Sequence, residues 1–386
     1  MKTGSPLVTY YHSVAPAPFE GWPLRFLTME LARFEREMEL IVERKWKPVF
    51  MEEWWSMRNG TTRSHGNELA ITFDDGLLDN WVYAYPIIRK LGLKMTLFVC
   101  PELIEPSDGV RPNLEDVWNG KIDMKDLVGL GHLSWGELRA MLSSGHVDVQ
   151  SHTMTHTKFI VSGQLRGAYY GGFEGYYPAL NTFSLEEKPR YMHAASFGQR
   201  IPLGTPLFEE NSAVVARRTT IDDTFMQESA ALAKQHDLSR ADGRAAYELR
   251  LRELHDRYKA KGALVKSEET FEEHVDRVEY EIIGSKRILE EKLGKPVRFL
   301  CWPHGGNSLA THAIAKQAGY VATTVGKMHR QQRDPDRIPR TGTDWQLSPS
   351  FGRWMFDYKM GANSGRQPYK ALSSLNDLKN RLLGRH

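Results

Sequence analysis

The feature that most constrains this chain is its alternation of short β-rich runs with helical stretches that stop at glycine. Leu7–Tyr11, Glu68–Phe73, Lys94–Cys100, His146–Gln150, Val297–Trp302 and Tyr320–Val325 read as strands. Helices are expected from Thr28 to Lys45, Asp79 to Leu91, Ser134 to Ser144, Glu269 to Leu293 and Asn307 to Gln317. Gly92, Gly294 and Gly319 close three of them, because glycine enters the left-handed conformation that ends a helix at no steric cost. Thr28 is the expected N-cap of the first helix, with Glu30 in its first turn. Ser134 and Glu137 make a capping box. Such alternation predicts an α/β fold, either a parallel sheet or a β/α barrel. Folds of this kind carry their chemistry where strands end and loops begin.

Residues 159–262 break the rhythm, separating two regular βα units by far more than the usual ~2–6 residues. They read as an insertion. Gly167–Tyr177 is rich in glycine and aromatics, and Thr224–Lys261 reads as two charged helices broken near Asp242-Gly243. The insertion is expected to be a lid or wall beside the site, or an oligomer contact. The barrel would then comprise 1–158 and 263–350, followed by a C-terminal tail, 351–386.

Composition narrows the function. With 41% hydrophobic and 26% charged residues the chain is ordinarily globular. Its 51 Lys+Arg against 48 Asp+Glu leave +3, which argues against nucleic acid as a partner. No run approaches the ~20 apolar residues of a membrane span. Met1–Pro6 passes directly into the first strand, so the sequence as it stands implies a soluble, cytoplasmic protein, and an exported one if a leader was removed. Two cysteines, Cys100 and Cys301, exclude a disulfide scaffold and a Cys-rich zinc module, and both end apolar runs as buried strand thiols do.

Two local signals suggest chemistry. Ile71-Thr-Phe-Asp74-Asp75-Gly76 ends a strand. Adjacent residues of a strand face opposite ways, but a turn at Gly76 can swing both carboxylates into one mouth, where a cation relieves their repulsion. A solvated Asp-Asp-Gly turn is the alternative. Ser151-His152-Thr-Met-Thr-His156 follows another strand. Histidines four apart converge on one ion if the stretch makes a helical turn; otherwise they are two surface loop residues. The zinc-protease pattern needs Glu directly after the first His, where Thr153 stands. Asp75, His152 and His156 make a three-ligand set with open positions, and Asp74 is left over as a general base.

Thr72-Phe-Asp-Asp-Gly76 followed by Ser151-His-Thr-x-x-His156 resembles the polysaccharide deacetylases, the NodB-homology or carbohydrate esterase family 4. Phe299-Leu-Cys-Trp-Pro-His-Gly305 is similar to the Trp-Pro-Tyr-Gly segment of the subgroup that de-N-acetylates poly-N-acetylglucosamine in biofilm exopolysaccharide. Tyr10-Tyr-His12-Ser-Val14 and Asp336-Arg-Ile-Pro-Arg340 resemble two further segments of that subgroup. The resemblance covers about residues 5–160 and 270–345. It implies a distorted (β/α) barrel with a long insertion and an N-acetylated glycan or amino-sugar substrate. It implies that Asp75, His152 and His156 hold a divalent metal, Zn²⁺ first and Co²⁺ or Ni²⁺ as substitutes, and that Asp74 is the base. The backbone N–H of His304 would serve the oxyanion.

For the acid, the resemblance points to His12, with the His304 side chain second and His329 third. The family Arg that orients the base is replaced by Cys301, and Arg340 is expected to supply its charge. The competing readings are an amidase, deformylase or O-deacetylase of a small substrate, and a non-catalytic glycan-binding protein that uses the barrel mouth and its aromatics. Trp22, Trp54 and Trp55 are read either as walls of a sugar groove or as core packing. Asp344-Trp345 is a further candidate lining pair. His65, His236, His255, His274 and His312 are expected to be solvated.

Overall fold

The structure, a computed structural model, describes residues 6–16, 25–171, 179, 201–325, 334–342, 349–366 and 368–382. Trp22, His329, Asp344-Trp345 and most of the Gly167–Tyr177 segment lie outside the described residues.

The expected β/α barrel is observed. Its strands are β1 (Leu7–Tyr11), β2 (Glu68–Phe73), β3 (Met95–Val99), β4 (Val147–Ser151), β5 (Phe299–Leu300), β6 (Ala322–Val325), β7 (Arg337–Pro339) and β8 (Thr341–Gly342). They pair in the order β7-β6-β5-β4-β3-β2-β1-β8, every pair parallel. β7 and β8 are one run interrupted at Arg340. Its first part pairs with β6 and its second with β1, so this run joins the two edges of the sheet and few backbone groups are left unpaired there.

Strand periodicity then sorts the side chains. Val8, Ala70, Phe98, Phe299, Ala322 and Ile338 form the inner core. Their neighbours Leu7, Leu69, Ile71, Leu97, Val99, Val149 and Leu300 face outward onto helix residues such as Phe34, Ile88, Leu138 and Leu289. β2 and β3 are buried along their whole length, so they read as unbroken apolar runs. At the N-terminal end of the barrel, Lys47–Pro48 pairs beside the start of β2. Val49, and Met51 and Trp54 of the helix Met51–Arg58, close that end from within. Trp54 is therefore floor packing. The C-terminal end remains for a site.

Three local expectations change. Thr28 does not cap a helix: Thr28–Glu30 pairs in parallel with Ser13–Ala15, the Thr28 hydroxyl donates to Ser13 Oγ at 2.9 Å, and the helix begins at Leu31. The helix after β2 and the one before β5 each contain a π-helical turn, at Asn80–Ala84 and Tyr280–Gly284. The two charged helices, Asp223–Ala233 and Ala241–Ala260, part at residues 234–240 rather than at Asp242-Gly243. Gly243 lies in the first turn of the second helix because a Cβ there would come within 2.1 Å of the Asp237 carbonyl oxygen.

Before these helices runs an antiparallel hairpin, Lys158–Ala168 with Pro206–Ser212. Phe208 and Leu264 join Phe225, Tyr247 and Leu251 in a core of their own. Helices Pro349–Asn363 and Tyr369–Leu382 follow the barrel, and Phe356 and Met360 enter the main core. No helix among the described residues is long and apolar enough to cross a membrane.

Candidate active site

The barrel brings the candidate residues together by a parity rule. His12, Asp74, His152, Cys301 and Arg340 each occupy the next inward position past the end of a strand, two residues beyond Tyr10, Thr72, Gln150, Phe299 and Ile338. The Asp74 N–H donates to the Tyr11 carbonyl at 3.0 Å, extending the ladder by one residue. Asp75 would face outward by the same rule. Its backbone is instead left-handed (φ 74), as is that of Gly76 (φ 71), and this turn brings it to the mouth. The device lies one residue earlier than the expected turn at Gly76.

His152 Nε2 and His156 Nε2 lie 3.2 and 3.1 Å from the same atom, Asp75 Oδ1. The loop that carries them is not a helical turn. Thr153 (φ 62) and His156 (φ 54) are left-handed and fold the chain back instead. Asp75, Thr153, His156 and His304 are four of the five non-glycine residues with positive φ among the described residues. Each such conformation costs roughly 1–3 kcal/mol and persists only where the surroundings enforce it.

The donor set suits a divalent metal. His152 Nδ1 lies 2.9 Å from the Cys301 carbonyl oxygen, to which it can only donate, which leaves Nε2 to face Asp75 Oδ1. Burial opposes a charge on this ring, but Cys301, Asp75 and Asp74 around it outweigh burial and hold its pKa well above the ordinary value. Asp75 Oδ1 is buried and has no well-directed hydrogen bond. An imidazole nitrogen and a carboxylate oxygen approach this closely only with a cation between them, either a proton or a divalent ion. Two imidazoles and one carboxylate are also the donors of catalytic zinc sites. A second cluster, Asp74, His152 and Cys301, is equally close, but Arg340 already takes both Asp74 oxygens, and a cation there would face its charge.

Asp74 is 2% exposed. Arg340 Nη1 and Nη2 donate to Oδ1 and Oδ2, each at 2.7 Å. Burial opposes the Asp74 charge, but Arg340 above all, with His152 and His12, outweighs it and holds the carboxyl below its ordinary range. Asp75 is held well below that range, its burial offset by His156 and His152. His12 Nε2 lies 3.8 Å from Asp74 Oδ2. Tyr10 contacts both His12 and Arg340, its ring 5.0 Å from the guanidinium and edge-on to His12 at 5.8 Å. The His304 ring is 4.4 Å from that of His156, and its side chain is exposed.

Motif reading missed a buried group behind His12. Asp79 accepts from Ser13 Oγ and from Asn80 Nδ2, the latter at 2.7 Å, while Asn80 Nδ2 also reaches the His12 carbonyl at 2.8 Å. Burial pushes the Asp79 carboxyl up to about 8 against these bonds. The sequence signal was only a second Asp four residues after Asp75. Two histidines read as solvated are buried: His255 Nε2 contacts the Gly163 carbonyl at 2.7 Å, and His312 Nδ1 contacts Thr323 Oγ1 at 3.0 Å. Both tie helices to strands.

Residues 61–191 match the family model for polysaccharide deacetylases. The polysaccharide deacetylase-like protein YxkH of Bacillus subtilis (strain 168) is 26% identical over 159 residues, 40% of this chain and 46% of that one, so the match spans under half of that relative. Among solved structures, a de-N-acetylase from Aggregatibacter actinomycetemcomitans superposes with a TM-score of 0.53 at 15% identity, covering 90% of this chain and 98% of that one. The deacetylase PplD of Streptococcus pyogenes, solved with acetate, gives 0.50 at 12% identity over 91% and 97%. At such identities the likeness is one of fold.

Proposed function

We propose that the chain, whose residues 61–191 match the polysaccharide deacetylase model and whose fold is of the NodB-homology type, is a metal-dependent hydrolase that removes N-acetyl groups from an amino-sugar glycan or glycoconjugate. One observation carries the reading: Asp74, clamped by Arg340, stands beside the Asp75–His152–His156 set without belonging to it. A purely binding site has no need of that spare carboxylate.

Asp75, His152 and His156 are the residues that would hold the ion, Zn²⁺ by donor type with Co²⁺ or Ni²⁺ acceptable to the same donors. When bound, a divalent metal supplies Lewis acidity toward the acetyl carbonyl and lowers the pKa of water.

The protein's own groups do the rest. A carboxylate has about four acceptor directions; Arg340 uses one on each Asp74 oxygen and the Cys301 thiol a second on Oδ2, which leaves a direction on Oδ1 for the attacking water. Asp74 takes the proton as the water oxygen bonds to the carbonyl carbon. The His304 N–H, held in its left-handed turn after Pro303, is the proposed oxyanion donor, a role worth about 3 kcal/mol. His12 protonates the sugar nitrogen as the C–N bond breaks. One water is consumed, and acetate and a free amine leave.

Acetate release from N-acetylglucosamine oligomers, the free sugar, a nucleotide sugar and an O-acetyl ester tests the reading. Chelator-sensitive release from N-acetyl substrates is expected. Glycan binding without acetate would make the protein a binder, and release from the ester alone an O-deacetylase.

A further inference from the structure

The loop His152–His156 carries two of the three proposed ligands in a conformation no regular element supports. Its support comes from the helical run Phe271–Leu293, which packs behind it. Glu281 lies in the π-helical turn of that run and is 2% exposed. Its Oε2 accepts the N–H groups of Met154 at 2.9 Å and Thr155 at 3.1 Å, and its Oε1 accepts the Thr155 hydroxyl at 2.5 Å. All three donor groups belong to Met154 and Thr155, two of the three residues between the histidines. Four residues on, Ser285 Oγ contacts Ser151 Oγ at 2.9 Å, and Ser151 Oγ in turn accepts the Thr153 N–H at 3.2 Å. One helix face therefore holds both flanks of the loop. The approach is close, since a Cβ at Gly284 would lie 2.9 Å from Met154 Cε.

Burying a carboxylate costs several kcal/mol unless its oxygens are satisfied, and here the loop's own donors satisfy them. Turns of the π type occur mostly as single insertions that redirect a side chain, frequently at functional sites. We infer that Glu281 is a positioning residue for the metal centre: it holds Thr153 and His156 in their left-handed conformations and so keeps the two imidazoles converged. This rests on the proposed metal reading and adds to it a residue outside the ligand set.

Metal affinity of the full chain, measured without substrate by Zn²⁺ competition against a chromophoric chelator, tests the inference. Outer-sphere partners of metal ligands typically contribute about 10–100-fold in affinity, and a loss of that size is expected for Glu281→Ala. Glu281→Gln should stay near wild type, since its amide oxygen can take both N–H groups and its NH₂ the Thr155 oxygen. Thr155→Val, which removes one contact on a partly exposed residue, should lose a few-fold without lowering the melting temperature of the metal-free protein, and it decides the question if Glu281→Ala fails to fold. Unchanged affinity in folded Glu281→Ala, or in Thr155→Val where the alanine variant does not fold, overturns the inference, as does a wild type that binds no metal. A wild type that binds metal and shows these losses but releases no acetate upholds the inference and sinks the deacetylase reading.

Discussion

Arg340 and Asp74, 266 residues apart in sequence, share two parallel hydrogen bonds of 2.7 Å at the mouth of the barrel. Arg340 is the residue at which the run Arg337–Gly342 passes from one sheet edge to the other. The contact that closes the barrel thus also orients the proposed base and keeps it ionised while buried.

Asp74→Asn keeps the shape but removes the proton acceptor. General bases contribute about 10²–10⁴-fold, so turnover should fall by that factor with metal affinity within a few-fold of wild type. Steady-state acetate release alongside metal titration checks both halves.

Removing Arg340 leaves burial to act on Asp74 with less opposition, so the carboxyl's pKa rises. The base is active only when ionised. In Arg340→Ala the acidic limb of the kcat/KM profile should therefore move to higher pH, while Arg340→Lys, which retains a charge but not the fork, should move it less. A limb that stays in place in both variants would remove Arg340 from this role.

His12 and His304 compete for the acid. His12 lies 3.8 Å from Asp74 across the mouth, whereas the His304 ring sits against His156. His12→Asn should lower kcat by about 10²-fold or more. His304→Ala, whose backbone N–H survives, should lose less than tenfold. The reverse order would exchange their roles.

Chelation should abolish acetate release and lower the melting temperature, because an ion held only by the native state stabilises it by about 2.7 kcal/mol at a hundred times its Kd. Re-addition of Zn²⁺ should restore both. Activity that survives exhaustive chelation would exclude the metal reading.

Asp79 gives a stability signature independent of activity. Its folded pKa of about 8 lies above the ordinary carboxyl value of 3.8, so between those values the native state binds a proton that the unfolded chain has released. Its contribution is fully present below about pH 4, falls by up to ~1.4 kcal/mol per pH unit, and is exhausted above about pH 8. Asp79→Asn should therefore gain stability relative to wild type as pH rises through that window, read by denaturant melts at several pH values.

Much of this architecture was legible in the residues. The strand–helix rhythm implied the barrel, and Asp74, Asp75, His152 and His156 stood out because paired carboxylates and paired histidines at strand ends are hard to explain without a cation. Arg340 could be anticipated because Cys301 cannot supply the missing charge. Glu281 and Asp79 could not be found this way. Each is one acid among many, and what distinguishes it is burial against a particular loop.

Alternation along a strand is a local property, so His12, Asp74, His152, Cys301 and Arg340 each share a face with the residue two before them whatever the fold; barrel closure decided that this face turns inward. Only the tertiary structure decided how Asp75 and His156 join them. Left-handed turns at non-glycine residues run against local preference, so they arise where packing and buried hydrogen bonds from distant segments outweigh it.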